Sequence, residues 1–189
     1  MKLIDFQKVK DGKYLKNYEL TYLNKAGKLK KYEIVSRKEL KSAKELGVSS
    51  SGVSIIATRS GKLLLLKEFR MGINRTIYNL CAGMIEEGET IEDCVRRELF
   101  EETGLNLKHL IKVLPPSYAA VAISDISTSI AFAEVEGNTS DCHTSDNEEI
   151  QAAFYSKEEV EALLSQGAPF SSRAQIAAYF FSKGAFDYI

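Results

Sequence analysis

Hydrophobic positions change their period several times along this chain, and each change predicts an element. Tyr18–Asn24 and Leu29–Arg37 are β-rich segments that flank Lys25-Ala26-Gly27-Lys28, the turn chemistry of a hairpin. Val53–Thr58 and Leu63–Phe69 flank Ser60-Gly61 as a second hairpin, and their apolar runs predict buried strands. Thr76–Leu80 predicts a short strand leading into Ala82-Gly83, and further strands are predicted around Leu107–Leu114, Ser127–Val135 and Ile150–Tyr155. Glu136–Asn147 is polar and predicts a loop, while Lys38–Gly47 is a charged connector with room for a short helix. The clearest helix is Thr90–Thr103, with Ile91, Val95 and Leu99 as its inward stripe. Thr90 suits its N-cap with Asp93 at the third position, and Gly104 sits where a left-handed residue closes a helix. Ser156 with Glu159 makes a capping box for a second helix, stopped at Gly167. Ser171 or Ser172 opens a third, whose Ile176, Tyr179 and Phe180 share an apolar face. The order of strands and helices predicts a layered α/β or α+β domain, with the N-terminal hairpin as a separate sheet.

Composition bounds the function. A chain of 189 residues with 44% hydrophobic and 27% charged residues is long enough for one compact domain with a real core and a small appended element. Its net charge of -1 gives no general pull towards nucleic acid or anionic membrane, so a polyanion must be met by a local site. Cys81, Cys94 and Cys142 are widely spaced, and with only His109 and His143 beside them they form no zinc pattern. Reduced thiols in a cytoplasmic protein are expected. The N-terminal MKLIDFQKVKDGKYL is charged throughout and lacks the apolar run of a signal peptide, and no stretch approaches the ~20 apolar residues of a membrane span.

The helix from Thr90 carries an electrostatic problem. Glu98 and Glu102 are four apart and Glu101 lies three after Glu98, so the carboxylates crowd one side and repel. They also lie near the helix C-terminus, where the macrodipole disfavours negative charge. Arg97 can pair with Glu101 but cannot neutralise the group. A hard divalent cation offsets such a cluster well, because magnesium takes carboxylate and phosphate oxygens as ligands; a solvated acidic face is the alternative.

The spacing of the wider segment favours the cation. Gly83, then five residues, Glu89, then seven residues, then Arg97-Glu98-Leu99-Phe100-Glu101-Glu102-Thr103-Gly104-Leu105 match every fixed position of the Nudix box, and the chain resembles the Nudix hydrolase family. That resemblance implies an α/β/α sandwich with a mixed sheet, plus the N-terminal antiparallel hairpin sheet, and hydrolysis of a nucleoside diphosphate linked to another group. It implies Glu98 and Glu102 as principal metal ligands, Glu101 as ligand or base, and the carbonyl of Ala82 as a further ligand. Glu89 and Arg97 would pair to hold the loop against the helix. The cofactor implied is magnesium, with manganese as the alternative.

The flanks resemble one branch of that family. Lys67-Glu68-Phe69-Arg70 followed by Asn79-Leu80-Cys81-Ala82-Gly83, and Tyr32-Glu33-Ile34-Val35-Ser36-Arg37, resemble the ADP-ribose pyrophosphatase branch. The resemblance implies that Tyr32 stacks on a purine, Glu33 hydrogen-bonds to it, and Arg37 and Arg70 pair with phosphate. It implies Glu148 near the attacking water, with Glu149 as the alternative, and a homodimer formed through an N-terminal region at 1–47 ahead of a hydrolase domain at 48–189. Three departures concern substrate choice. Cys81 stands for a proline, Asn79 for a common glutamate, and Ala119–Asp125 for a loop that often carries a proline-glycine pair. A magnesium-dependent pyrophosphohydrolase of ADP-ribose or a related nucleoside diphosphate sugar is therefore expected. The alternatives are a Nudix hydrolase of another diphosphate, a nucleoside triphosphate cleaner among them, and a silent nucleotide-sensing module.

Overall fold

The computed structural model describes residues 1–48, 50–141, 144–145 and 147–186, without the side chains of Ser50 and Ser51. Cys142, His143 and Asp146 lie outside the described residues. Two compact units emerge, one formed by Met1–Ser51 with Pro116–Thr128 and the other by Gly52–Pro115 with Ser129–Ile189.

The first unit is a three-stranded antiparallel sheet of β1 (Lys2–Asp11), β2 (Lys16–Leu23) and β3 (Leu29–Ser36), in that order. Tyr18, Leu20 and Ile34 on alternate positions are buried with Leu40, and Phe6 stacks on Tyr18 at 4.9 Å. The expected hairpin is present as β2–β3, but β1 was not predicted. It is exposed along most of its length, so its sequence carries no buried-face alternation, and its lysines suit an edge strand. The Lys38–Gly47 connector holds one turn of 3-10 helix at Ala43–Glu45.

The second unit is a seven-stranded mixed sheet between helices, the expected α/β/α sandwich. Its strands are β4 (Ser50–Arg59), β5 (Lys62–Arg70), β6 (Arg75–Asn79), β7 (Cys81–Met84), β8 (Asn106–Tyr118), β9 (Ser127–Glu136) and β10 (Ile150–Tyr155). The sheet runs β10-β5-β4-β9-β8, with β6 paired to β5 and β7 to β4. One face packs on α1 (Ile91–Thr103) through Cys94, Val95 and Leu99. The other packs on α2 (Lys157–Ser165) and α3 (Ser172–Ser182) through Val160, Ala174, Ala177, Ala178 and Phe181. Leu63 and Leu65 face one layer and Leu64 and Leu66 the other, which is why this strand reads as an unbroken apolar run.

The caps of α1 and α2 are the predicted capping boxes, and Ser171 caps α3. The inward face of α3 differs from the expected one. Ile176, Tyr179 and Phe180 are half or more exposed, and the alanines with Phe181 are buried instead. Small side chains let the helix lie close to the sheet, whereas the larger face could not fit there.

Candidate active site

The site is built where β7 meets α1. Backbone approach comes first: Gly83 stands opposite Val53 on β4, and a Cβ on Gly83 would run into the Glu98 carboxyl group. The glycine thus lets the Glu98 carboxylate lie directly against the strand. On α1 the apolar residues Val95 and Leu99 turn towards the core, and this drags Glu98 with them to 8% exposure. Gly104 takes a left-handed φ of 72° and ends the helix one residue past Thr103.

Arg97 ties the loop to the helix. Its Nε and Nη2 donate to the two oxygens of Glu89 at 2.8 and 3.0 Å, a bidentate pair. Its Nη1 donates to Glu98 at 2.6 Å and to Glu101 at 3.1 Å, and Nη2 also reaches the Met84 carbonyl at 2.9 Å. Glu89 in turn accepts from the Glu86 backbone at 2.9 Å. The Arg97 guanidinium, with that backbone N–H second, holds the Glu89 carboxyl down at about 2. Glu102 accepts from the Ala82 N–H at 3.1 Å. Burial pushes its carboxyl up to about 8, opposed by the Cys81 thiol and the Ala82 N–H and reinforced by the charges of Glu98 and Glu68. Burial likewise raises Glu98, against the pull of Arg97.

Among the described residues no three His, Cys, Asp or Glu side chains stand together as a finished metal cage. The donor set nonetheless fits a hard divalent cation. Glu98 is buried with Arg97 on one oxygen, Glu102 is half-buried with the Ala82 N–H, and the charge of Glu98 adds to the proton affinity of Glu102, while Gly83 gives the Glu98 carboxylate room against the strand. Cys81 and Cys94 are free and buried, the first pushed well up and the second to about 12 by burial. They are inert thiols.

Two cavities share Asp141 and Gln151, and the smaller one reaches Glu102. One of about 220 Å³ is lined by Glu102, Ser140, Asp141 and Gln151. The other, of about 400 Å³, shares Asp141 and Gln151 and adds Lys67, Thr76, Glu148 and Glu149. Glu148 accepts from the Ser145 N–H at 3.0 Å and from its hydroxyl at 2.9 Å. Arg70 ends β5 and pairs with Glu68.

Tyr32, Glu33 and Arg37 belong to the first unit. The Tyr32 hydroxyl donates to the Ala122 carbonyl at 2.6 Å, and Val35 N–H donates to Ile123 at 2.8 Å. The Ala119–Asp125 loop is therefore stitched to β3 in a way its composition did not announce. Glu68, buried beside Arg70, was not singled out by the sequence. Its signal was an acid two positions before Arg70, on the face where Leu64 and Leu66 are core.

The family model for the NUDIX domain matches residues 48–177. Over 166 residues the chain is 27% identical to putative nudix hydrolase 2 of Caenorhabditis elegans, covering 86% of this chain and 70% of that protein. Over 73 residues it is 40% identical to the ADP-ribose pyrophosphatase of Bacillus subtilis, 38% of this chain and 40% of that protein. A solved structure described as an ADP compounds hydrolase superposes with a TM-score of 0.72 at 18% identity, covering 98% of this chain and 93% of that one.

Proposed function

This chain belongs to the Nudix family and is a hydrolase, and from that premise we propose that it splits the diphosphate of ADP-ribose or a related nucleoside diphosphate sugar. The products are a nucleoside monophosphate and a sugar phosphate. The observation that carries the reading is the pair of carboxylates, a buried Glu98 and a half-buried Glu102, set against the Ala82-Gly83 strand within the full register of Gly83 to Leu105.

In this reading Glu98, Glu102, Glu101 and the Ala82 carbonyl would hold magnesium, with manganese as the alternative. The metal would neutralise the diphosphate and lower the pKa of a water. Arg97 keeps the carboxylates in place by spanning Glu89, Glu98 and Glu101. Glu148, held by Ser145 at the edge of the larger cavity, accepts the proton of the attacking water, with Glu149 beside it as the alternative. Arg70 pairs with phosphate, and Tyr32, Glu33 and Arg37 serve the base and the diphosphate. Tyr32 is 39% exposed as a residue while its hydroxyl is held, which suits a fixed stacking platform. A homodimer in the cytoplasm, joined through the N-terminal region, completes the proposal.

The test is a substrate panel of ADP-ribose, ADP-glucose, UDP-glucose, NADH and coenzyme A with and without magnesium. ADP-ribose is expected to be cleaved with the highest kcat/KM, and only with a divalent metal. A second sugar nucleotide leading the panel would move the assignment within the family, and the tethered Ala119–Asp125 loop is the feature that would account for it. Silence on every diphosphate would refute the enzyme reading.

A further inference from the structure

One buried carboxylate of the second unit has no part in the chemistry described so far. Leu64, Leu66, Glu68 and Arg70 occupy alternate positions of β5, hence one face. Leu64 and Leu66 lie in the core beneath α1, and Glu68 is only 8% exposed. A carboxylate so placed is strongly penalised unless its oxygens are paired. Both are: Oε1 accepts from the Arg70 guanidinium and Oε2 from the Asn79 side-chain amide at 2.8 Å. A carboxylate can only accept, so the Asn79 NH2 must face Glu68 and its oxygen must face away. That oxygen accepts from the Ser171 hydroxyl at 2.7 Å. Ser171 is itself anchored twice, its N–H donating to the Tyr78 carbonyl at 3.0 Å and its hydroxyl capping α3 through Ala174 N–H at 3.3 Å. A continuous ladder of hydrogen bonds thus runs from a helix cap to one guanidinium.

The far end of the ladder is electropositive. Arg70 stands directly across from Arg75 in the β5–β6 register, and like charges so placed repel. Glu68 offsets one of the two charges. Arg70 keeps half of its side chain in solvent, 53% exposed, with further N–H groups to offer.

We propose that Glu68, Asn79 and Ser171 are positioning residues that preset the Arg70 guanidinium for one phosphate of the diphosphate, Glu68 itself touching no reacting atom. The inference rests on the diphosphate reading above. A free arginine side chain gives up considerable rotamer freedom when a ligand fixes it. One fixed beforehand does not, and the gain falls on binding. Such a contribution is made equally to bound substrate and to transition state, so it appears in KM and leaves kcat alone.

The experiment is a double-mutant cycle on ADP-ribose hydrolysis at saturating magnesium, with thermal melts of every variant. Glu68→Gln and Asn79→Ala are each expected to raise KM about tenfold, the scale of a lost charge-assisted hydrogen bond, with kcat within about twofold. Glu68→Asp should recover part of the loss. In an Arg70→Ala background, Glu68→Gln should add almost nothing, since the group it positions is gone. Calorimetric binding of α,β-methylene-ADP, which cannot be cleaved at that bridge, should follow the same pattern. Should Glu68→Gln fail to fold, Ser171→Ala carries the same prediction at smaller size. A full effect of Glu68→Gln in the Arg70→Ala background overturns the inference. A shift in the magnesium midpoint also overturns it, by making Glu68 a ligand, and a fall in kcat does so by assigning Glu68 to Glu102. An active wild-type protein with an additive cycle strikes the ladder alone. A wild-type protein that leaves every diphosphate intact removes the functional reading and the ladder with it.

Discussion

Two glutamates of the site are perturbed in opposite directions, and their pH behaviour should separate them. The Glu102 carboxyl is raised from 4.5 to about 8 by burial, so the folded protein without metal binds a proton that the unfolded chain has lost. The stability tied to that proton is fully present below pH 4.5 and is lost as pH rises through about 8. In chelator, Glu102→Gln should therefore match the wild-type urea midpoint near about pH 4 and exceed it increasingly towards about pH 9. The same variant, like Glu98→Gln, should lose roughly a hundredfold or more in kcat, because several kcal/mol of charge stabilisation go with the metal. Glu89 is the reverse case, lowered from 4.5 to about 2 by Arg97. Its contribution is present above pH 4.5 and fades as pH falls through about 2, so the deficit of Glu89→Gln in urea midpoint should shrink between these limits. The register of these glutamates was legible because it is local to one loop and one helix. Glu68 was not, because its partner Asn79 is held by Ser171, 92 residues further along the chain, and no window on the sequence contains that contact.

Elements with strong end signals were the legible ones. Thr90 and Asp93 form the capping box that their spacing predicts, and Thr90→Ala should cost about 1 kcal/mol in chemical denaturation while leaving substrate preference unchanged. Gly83 is a stricter position, since any side chain there meets the Glu98 carboxyl group. Gly83→Ala is expected to abolish most turnover and to displace Glu98, which a crystal structure of the variant would show. Period alone misled in two places. α3 has apolar residues on both faces, and the choice between them was made by the space beneath the sheet, which admits Ala174, Ala177 and Ala178. β1 owes its existence to backbone pairing with β2 rather than to a buried face, so its hydrophobic pattern gave no warning.

At the scale of the molecule the candidate residues fall into the two units separately. Glu98, Glu101, Glu102, Glu148 and Arg70 all lie in the second unit, and Tyr32, Glu33 and Arg37 in the first together with the Ala119–Asp125 loop. The family was legible from one contiguous segment, whereas the residues proposed for substrate contact are scattered along the chain and no single spacing relates them. The first unit is a three-stranded sheet that leaves the apolar side chains of Ile4, Val9 and Leu29 exposed, surface that a second copy of the chain would cover under the proposed dimer. Light scattering is accordingly expected to give twice the chain mass of 21.1 kDa. The central claim, that the repelling carboxylates of Gly83–Leu105 serve diphosphate hydrolysis, is tested most directly by incubating the protein with ADP-ribose and magnesium in oxygen-18 water. The account predicts AMP and ribose phosphate, with one labelled oxygen on the phosphate that water attacked and no products in chelator. Intact ADP-ribose, and intact diphosphates across the panel, would contradict it.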